Sequence, residues 1–384
     1  MKALILTAAA GDGHISASRA IEAALVRMGA EARTVDALDC APRAFRLWFT
    51  GGYETLVRRW PWFWGALYRW SDRPGLAYAF QTLLDDRMLV GLASLIEAER
   101  PNCIVCTQAL PLPRLARLTG PAADVPVAVV ITDLHPHRMW LRGRADRYFV
   151  PTEASRDRLA ERLPGSSART EVTGIPIHEA FTLDMSKEEA RRVLNLGASA
   201  RVVALTSGGI GGGPLTGVLE ALCRVDEADH ILVVCGRNVK ASSQCARFAA
   251  NLPDLMRDRV AVLGYLPQAR FAMLLRAADI VVGKPGGLTM SECMALGKPM
   301  VICGELLIPG QEEQNAGHMV ACGCGIIARD RRSLAGAVHA LLGDRVRLDA
   351  MAAAALEHAR PHAARTIAAQ LVTMYGSESE AGQP

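Results

Sequence analysis

Residues 201–214 read RVVALTSGGIGGGP. Arg201–Thr206 is apolar over the length of one strand and gives way to Gly208-Gly209-Ile210-Gly211-Gly212-Gly213. Pro214 then suits the first turn of a helix, because its missing N–H would have no partner there. Strand, glycine turn and helix in that order make one repeat of a sheet covered by helices. Working outward, Ile231–Cys235, Val260–Leu263, Ile280–Val282 and Met300–Cys303 are further apolar runs of strand length separated by helical stretches. Continuous rather than alternating apolar runs are the mark of parallel strands buried on both faces.

The same pattern occupies the N-terminal half. Leu4-Ile5-Leu6 reads as a strand, followed by Gly11-Asp12-Gly13-His14. Ala17, Ala20, Ile21, Ala24, Leu25 and Met28 then recur at helical spacing up to Gly29. Cys103–Thr107 and Val127–Thr132 are further buried strands, and Thr173-Gly174-Ile175-Pro176-Ile177 reads as the end of the unit. The expectation is an α/β protein of two Rossmann-like, doubly wound domains. The first covers 1–178 and the second 179–349. An Ala-rich C-terminal helix at about 350–375 is expected to pack back on the first domain, and 376–384 is expected to be a disordered tail.

Length and composition set limits. The chain has 384 residues, half of them apolar, which suffices for two sizeable cores. Its net charge of +4 is too small to argue for nucleic acid as a partner. The 10 cysteines form no framework, so a reducing compartment, most simply the cytoplasm, is expected. Cys103-x-x-Cys106 lies inside an apolar run and reads as buried structure rather than a redox pair. No apolar run reaches membrane-spanning length, so if the protein meets a bilayer it lies on it.

Five features carry candidate chemistry. The 208–213 turn offers bare peptide N–H groups at a helix start, which suits a phosphate or pyrophosphate, although a flexible loop would look the same. It is neither a Walker A loop nor the dinucleotide fingerprint. Gly283-Lys284-Pro285-Gly286-Gly287-Leu288-Thr289-Met290-Ser291-Glu292 makes a second such turn. Glu292 there can accept from a ribose diol, or merely sit at a helix start. In Pro309-Gly310-Gln311-Glu312-Glu313-Gln314-Asn315, amides and carboxylates crowd together. Such a run can hold sugar hydroxyls or form a solvated helix start. His14 and Thr132-Asp133-Leu134-His135-Pro136-His137-Arg138-Met139-Trp140 follow strands of one sheet, so an imidazole and a carboxylate could meet as base and orienter. Zinc on His135 and His137 lacks a third ligand of suitable spacing. Lastly, Trp48, Trp60, Trp62, Phe63, Trp64 and Trp70 crowd one segment with Arg43, Arg46, Arg58, Arg59, Arg69 and Arg73. That mixture suits an anionic membrane interface, single-stranded nucleic acid or a helix pair packed on the core.

Taken together, these motifs resemble the monogalactosyldiacylglycerol synthases and processive diacylglycerol glucosyltransferases of glycosyltransferase family 28. These are relatives of the N-acetylglucosaminyltransferase of peptidoglycan synthesis. The likeness runs from Gly11-x-Gly13-His14 to Asn315 and is most specific in Lys284-Pro285-Gly286-Gly287 through Glu292 and in Pro309-Gly310-Gln311-Glu312-Glu313-x-Asn315. It implies a GT-B fold, its two domains facing across a cleft. It also implies an inverting transfer of a hexose from a UDP-sugar to diacylglycerol or a glycosyldiacylglycerol. His14 and Asp133 would be catalytic. Gly208, Gly209, Gly211 and Gly212 would lie near the diphosphate, with Gly287, Leu288, Thr289 and Asn315 also on the donor. Glu292 would hold the ribose, and Gln311 and Glu312 the hexose. His137, Trp140, Trp60, Trp62, Phe63, Trp64, Arg58 and Arg59 would serve the lipid acceptor or the membrane. No cofactor is implied, since UDP-sugar is a substrate and no catalytic metal is expected; nor is nucleic acid. The implied location is cytoplasmic, peripheral on the inner face of the cell membrane. Competing readings are a UDP-N-acetylglucosamine-using transferase or epimerase of the same fold, and a non-catalytic nucleotide- or lipid-binding protein.

Overall fold

In the computed structural model, residues 1–8 and 12–376 are described, with backbone alone at 53, 54, 57, 58, 61, 76 and 77. Gly11 and the stretch 377–384 therefore lie outside the described residues, as does the side chain of Arg58.

The first unit is built on six parallel strands, β1 (Lys2–Thr7), β2 (Glu31–Asp36), β3 (Cys103–Cys106), β4 (Val127–Val130), β5 (Arg147–Val150) and β6 (Thr170–Val172). Their spatial order is β2-β1-β3-β4-β5-β6. β1 and β3 are in register at Leu4 with Ile104 and Ile5 with Val105. Side chains alternate between faces, so Ala3, Ile5, Cys103, Val105, Ala128, Val130 and Phe149 form one core and Leu4, Leu6, Ile104, Cys106 and Val129 the other. The first core is roofed by helix Asp12–Arg27, through Ala20, Ile21, Ala24 and Leu25, and by helix Ala363–Tyr375, through Ile367, Ala368 and Leu371. Truncating a buried Ile or Leu in such a face costs about 2–5 kcal/mol.

The second unit has β7 (Val202–Thr206), β8 (His230–Val234), β9 (Val260–Leu263), β10 (Ile280–Gly283), β11 (Met300–Cys303) and β12 (Gly325–Ala328), again all parallel. Their order is β12-β11-β10-β7-β8-β9. The chain winds outward from β7 to β9, returns to the middle at β10, and winds the other way. In each unit one pair of neighbours marks that reversal, β1 beside β3 and β7 beside β10. The loops leaving such a pair diverge and open a crevice, which is where open α/β sheets hold ligands.

Contacts divide the chain into Met1–His178 with His362–Pro384, and Glu179–Pro361. The Ala-rich end is thus two helices rather than one. Helix Arg345–His358 packs on the helices Gly287–Ala295 and Arg331–Gly343 of the second unit, which corrects the expectation that the whole of 350–375 returns to the first. Only Ala363–Tyr375 does so, against Asp12–Arg27. Pro361 lies in the break between them and cannot continue a helix.

Between β2 and β3 run the helices Arg43–Arg59, Pro61–Ser71 and Leu76–Met88, which carry the aromatic segment. Among the described residues no helix is long and apolar enough to cross a membrane.

Candidate functional site

In the first unit, β1 and β3 deliver their following residues to one spot. His14 enters on the first turn of helix Asp12–Arg27, and Thr107 directly follows β3. His14 Nδ1 lies 2.9 Å from the Thr107 carbonyl oxygen and 3.0 Å from Thr132 Oγ1. A carbonyl can only accept, so Nδ1 carries the ring proton and Nε2 keeps a lone pair. Nε2 has no hydrogen-bond partner among the described residues. Burial pushes the imidazole pKa below its ordinary value; the Asp133 carboxylate and the Thr107 carbonyl oppose that shift without cancelling it. The ring is therefore held neutral, in the tautomer a general base needs.

Asp133 reaches this spot from the loop after β4. Its Oδ2 accepts from Trp140 Nε1 at 2.8 Å, and the Trp140 ring stands 6.1 Å from the imidazole, tilted by 55°. Asp133 thus acts on His14 through its charge, while Thr107 and Thr132 orient the ring.

Trp140 and His137 were expected to face acceptor or membrane. The structure buries both, at 1% and 2% exposure. Trp140 is spent on Asp133 and the core. His137 Nδ1 accepts from the Met139 N–H at 3.1 Å, so its Nε2 donates, to the Tyr68 carbonyl at 3.0 Å. It is a clamp on the end of helix Pro61–Ser71. Asp72 reinforces that clamp, accepting from Arg162 at 2.6 and 2.7 Å and from the Arg138 N–H at 2.7 Å. A buried Asp85–Arg142 pair at 2.7 Å fixes helix Leu76–Met88 in the same way.

The outer side of these helices is aromatic. Trp48, Trp60, Trp62, Phe63, Trp70 and Phe80 are all exposed, as are Arg43, Arg59, Arg69 and Arg73. Trp64 is half-buried and stacks near Tyr68, with ring centres 6.3 Å apart. Exposed large aromatics in such number are unusual for a surface that meets only water.

In the second unit the loops after β7, β10 and β11 lie side by side because those strands are neighbours. Gly208 and Gly211 adopt φ of +70° and +66°, open to glycine at little cost, and a Cβ on Gly211 would strike the Cys235 carbonyl. The turn is braced from outside. Asn238 Nδ2 donates to Gly211 O at 2.7 Å, the Arg237 N–H to Gly209 O at 2.8 Å, and Ser207 Oγ to Gly212 O. These bonds occupy carbonyls and leave the N–H groups of Gly209 and Gly212 without a partner among the described residues. Helix Gly287–Ala295 begins beside them, and its first-turn N–H groups at Gly287, Leu288 and Thr289 have no helical acceptor. Together they form a cradle for an anion.

Glu292 is 3% exposed, one turn into that helix, and its carboxyl has no hydrogen-bond partner among the described residues. Burial alone raises its pKa to about 8. A carboxyl without a protein partner in such a place is open to a ligand's hydrogen-bond donors.

Asn315 Nδ2 donates to the Pro285 carbonyl at 2.9 Å and so ties the β11 loop to the β10 loop. Glu312 was expected to meet a hexose. Both of its oxygens already have protein partners, Lys284 Nζ at 2.7 Å and the Ile308 N–H at 2.9 Å, which makes it first a strut between those loops. Gln311 is half-buried beside it. Thr107, Thr132 and Lys284 belong to these sites although sequence reasoning gave them no role. Nothing in the chain's order joins His14 to residues 93 and 118 positions away.

The Cys103 and Cys106 thiols are buried in β3 and burial raises both, Cys103 to about 12, so neither is a ready thiolate. Among the described residues no group of three or more His, Cys, Asp or Glu side chains is placed to hold a metal ion.

Residues 14–177 match the family model of monogalactosyldiacylglycerol synthase, and residues 135–372 match that of UDP-N-acetylglucosamine 2-epimerase. A processive diacylglycerol beta-glucosyltransferase of Bacillus pumilus is 30% identical over 68% of this chain and 65% of its own length. The match thus spans just under two thirds of that relative. The protein of the same description from Bacillus subtilis is 27% identical over 89% of this chain and 87% of its own. Among solved structures, the S. aureus MnaA-UDP co-structure superposes with a TM-score of 0.63 at 14% identity, covering 100% of this chain and 99% of the other. Acinetobacter baumannii MurG does so at 0.60 and 15%, covering 97% and 99%. At these identities the structural likeness speaks for the fold, which is GT-B. The chain is similar to the monogalactosyldiacylglycerol synthases and processive diacylglycerol glucosyltransferases, and over residues 135–372, more than half of its length, it matches the family model of the UDP-N-acetylglucosamine 2-epimerases.

Proposed function

We propose that the protein is an inverting glycosyltransferase that moves a hexose from a UDP-sugar to the hydroxyl of diacylglycerol or of a glycosyldiacylglycerol. The observation that carries the reading is His14, a neutral imidazole whose Nδ1–H is fixed on a backbone carbonyl and whose Nε2 has no partner among the described residues. A ligand-holding or sensing protein has no use for a base prepared in this way. The likeness to relatives described as diacylglycerol glucosyltransferases supports the substrate class.

The proposed reaction has two chemical parts. His14 Nε2 takes the proton of the lipid hydroxyl as its oxygen attacks the anomeric carbon. The bond from that carbon to the diphosphate oxygen breaks, the oxygen keeps the electron pair, and UDP departs with inversion. Negative charge on the diphosphate meets the N–H groups of Gly209 and Gly212 and the start of helix Gly287–Ala295, dipoles already in place before the reaction. Glu292 takes the ribose diol, and Gln311 the hexose. No cofactor is required in this scheme. The exposed aromatics and arginines of 43–80 seat the protein on the anionic inner face of the cell membrane, where the acceptor lies.

One experiment tests the whole. The purified chain is incubated with diacylglycerol liposomes and several UDP-hexoses, and the lipids are analysed by mass spectrometry. Hexosyl-diacylglycerol is the expected product. Free sugar with no glycolipid would instead favour a UDP-N-acetylglucosamine 2-epimerase, the second reading, which the match over residues 135–372 supports.

A further inference from the structure

Lys284 leaves the end of β10 at the strand pair where the second sheet reverses direction. Its ammonium donates to Glu312 at 2.7 Å, in a pair whose side chains are only 14% and 6% exposed. Its Cε lies 3.6 Å from where a Cβ of Gly208 would stand, so the side chain passes over the first glycine of the β7 turn. A pair this buried is expensive to desolvate, and apolar side chains would join two loops as well. As a strut it also has help, since Asn315 joins the β11 loop to the Pro285 carbonyl of the β10 loop. What the pair adds is a cationic side chain aimed past the β7 turn, whose Gly209 and Gly212 N–H groups have no partner among the described residues.

An ammonium has three donors. Glu312 uses one, and no other partner of Lys284 exists among the described residues. We propose that Lys284 is a catalytic residue whose remaining donors take the diphosphate of the nucleotide, so that its charge stabilises the electron pair left on the diphosphate oxygen when the sugar departs. Glu312 is its positioning residue. The inference rests on the transferase reading above and deepens it, giving the second unit a cation of its own in addition to its dipoles.

The test compares UDP with uridine, which lacks the phosphates, by titration calorimetry on the full chain. The wild type binds UDP more tightly than uridine. In Lys284→Met the UDP affinity falls roughly 10- to 100-fold, as expected for a charge-assisted contact, while uridine affinity holds, and kcat for glycolipid formation falls with it. Lys284→Arg restores most of the UDP affinity. An unchanged ratio of UDP to uridine affinity in Lys284→Met overturns the proposal. If loss of one charge unsettles the buried pair, the double variant Lys284→Met with Glu312→Gln leaves no orphan and is read the same way. A wild type that binds no UDP defeats the transferase reading itself and the inference with it.

Discussion

At the reversal point of the first sheet the chain supplies side chains, and at that of the second it supplies mainly backbone. His14, Thr132, Asp133 and Trp140 form one connected group beside β1 and β3, joined by hydrogen bonds from His14 Nδ1 and Trp140 Nε1 and by the contact of the His14 and Trp140 rings. Beside β7 and β10 stand glycines and open N–H groups, with Glu292 and Lys284 as the charged exceptions. On the function proposed above, the difference follows from what each would have to do. Moving a proton requires a titratable atom at a set point. Receiving a spread anion requires many weak donors, close enough that a side chain would be in the way.

The contrast can be broken most directly at His14. His14→Ala should lower turnover by about 10³-fold while leaving UDP affinity as it was. Since burial holds the imidazole below pH 6.5, the acid limb of the wild-type rate profile should lie below that value. Normal turnover by the purified variant, or an acid limb above 6.5, would refute the assignment.

A smaller effect concerns the aromatic face. Replacing Trp60, Trp62 and Phe63 by Ser removes about 1 kcal/mol of interfacial burial each, hence roughly a hundredfold in partition to anionic liposomes. The circular dichroism spectrum should not change, because these side chains point away from the core. Equal flotation of variant and wild type would remove the membrane claim.

Glu292 sharpens the second half of the comparison. Its folded carboxyl keeps a proton up to about pH 8, against about 4.3 in an unfolded chain. The folded state therefore binds more protons between those values, and stability falls as pH rises through them. Glu292→Gln should flatten that slope in thermal melts from pH 5 to 8. It should also weaken UDP roughly tenfold, as for one hydrogen bond to a charged group. Ribose hydroxyls favour the carboxylate, so UDP binding near pH 7 should release a proton, detectable as a buffer-dependent heat. The Gln variant should show none. Identical heats in all buffers for the wild type would argue against the ribose contact.

The smallest effect is at Thr132. Thr132→Val removes one of two atoms that fix His14 Nδ1, and kcat should fall about fivefold with little change in donor KM, the cost of one neutral hydrogen bond. A change in KM alone would mean the hydroxyl serves something other than the ring.

How far these features could be read beforehand depends on their range along the chain. β1, β3, β4, β7, β10 and β11 are continuous apolar runs and declare themselves. The edge strands β2 and β6 do not. Glu31–Asp36 alternates charge and small residues, and Thr170–Val172 is three residues long, since an edge strand has fewer neighbours to bury it. Glycine turns were legible because both their residue type and their place after a strand are local. The partners of His14 were not, and neither was the Lys284–Glu312 pair, because sheet topology alone brings them together. His137 and Trp140 were misread for the complementary reason. An aromatic or imidazole beside a polar loop looks available in sequence, whereas here each has a buried hydrogen bond to make.

Helix Ala363–Tyr375 has one more consequence, for the order in which the protein is made. It covers Ala20, Ile21, Ala24 and Leu25 from the opposite end of the chain, so the second unit is threaded into the first as an insert. On the ribosome the outer side of helix Asp12–Arg27 stays uncovered while the inserted unit is synthesised. A nascent chain halted before residue 363 would keep that flank exposed and be a ready client for chaperones and proteases. Only a chain that has been read through helix Ala363–Tyr375 completes the cover of its first sheet.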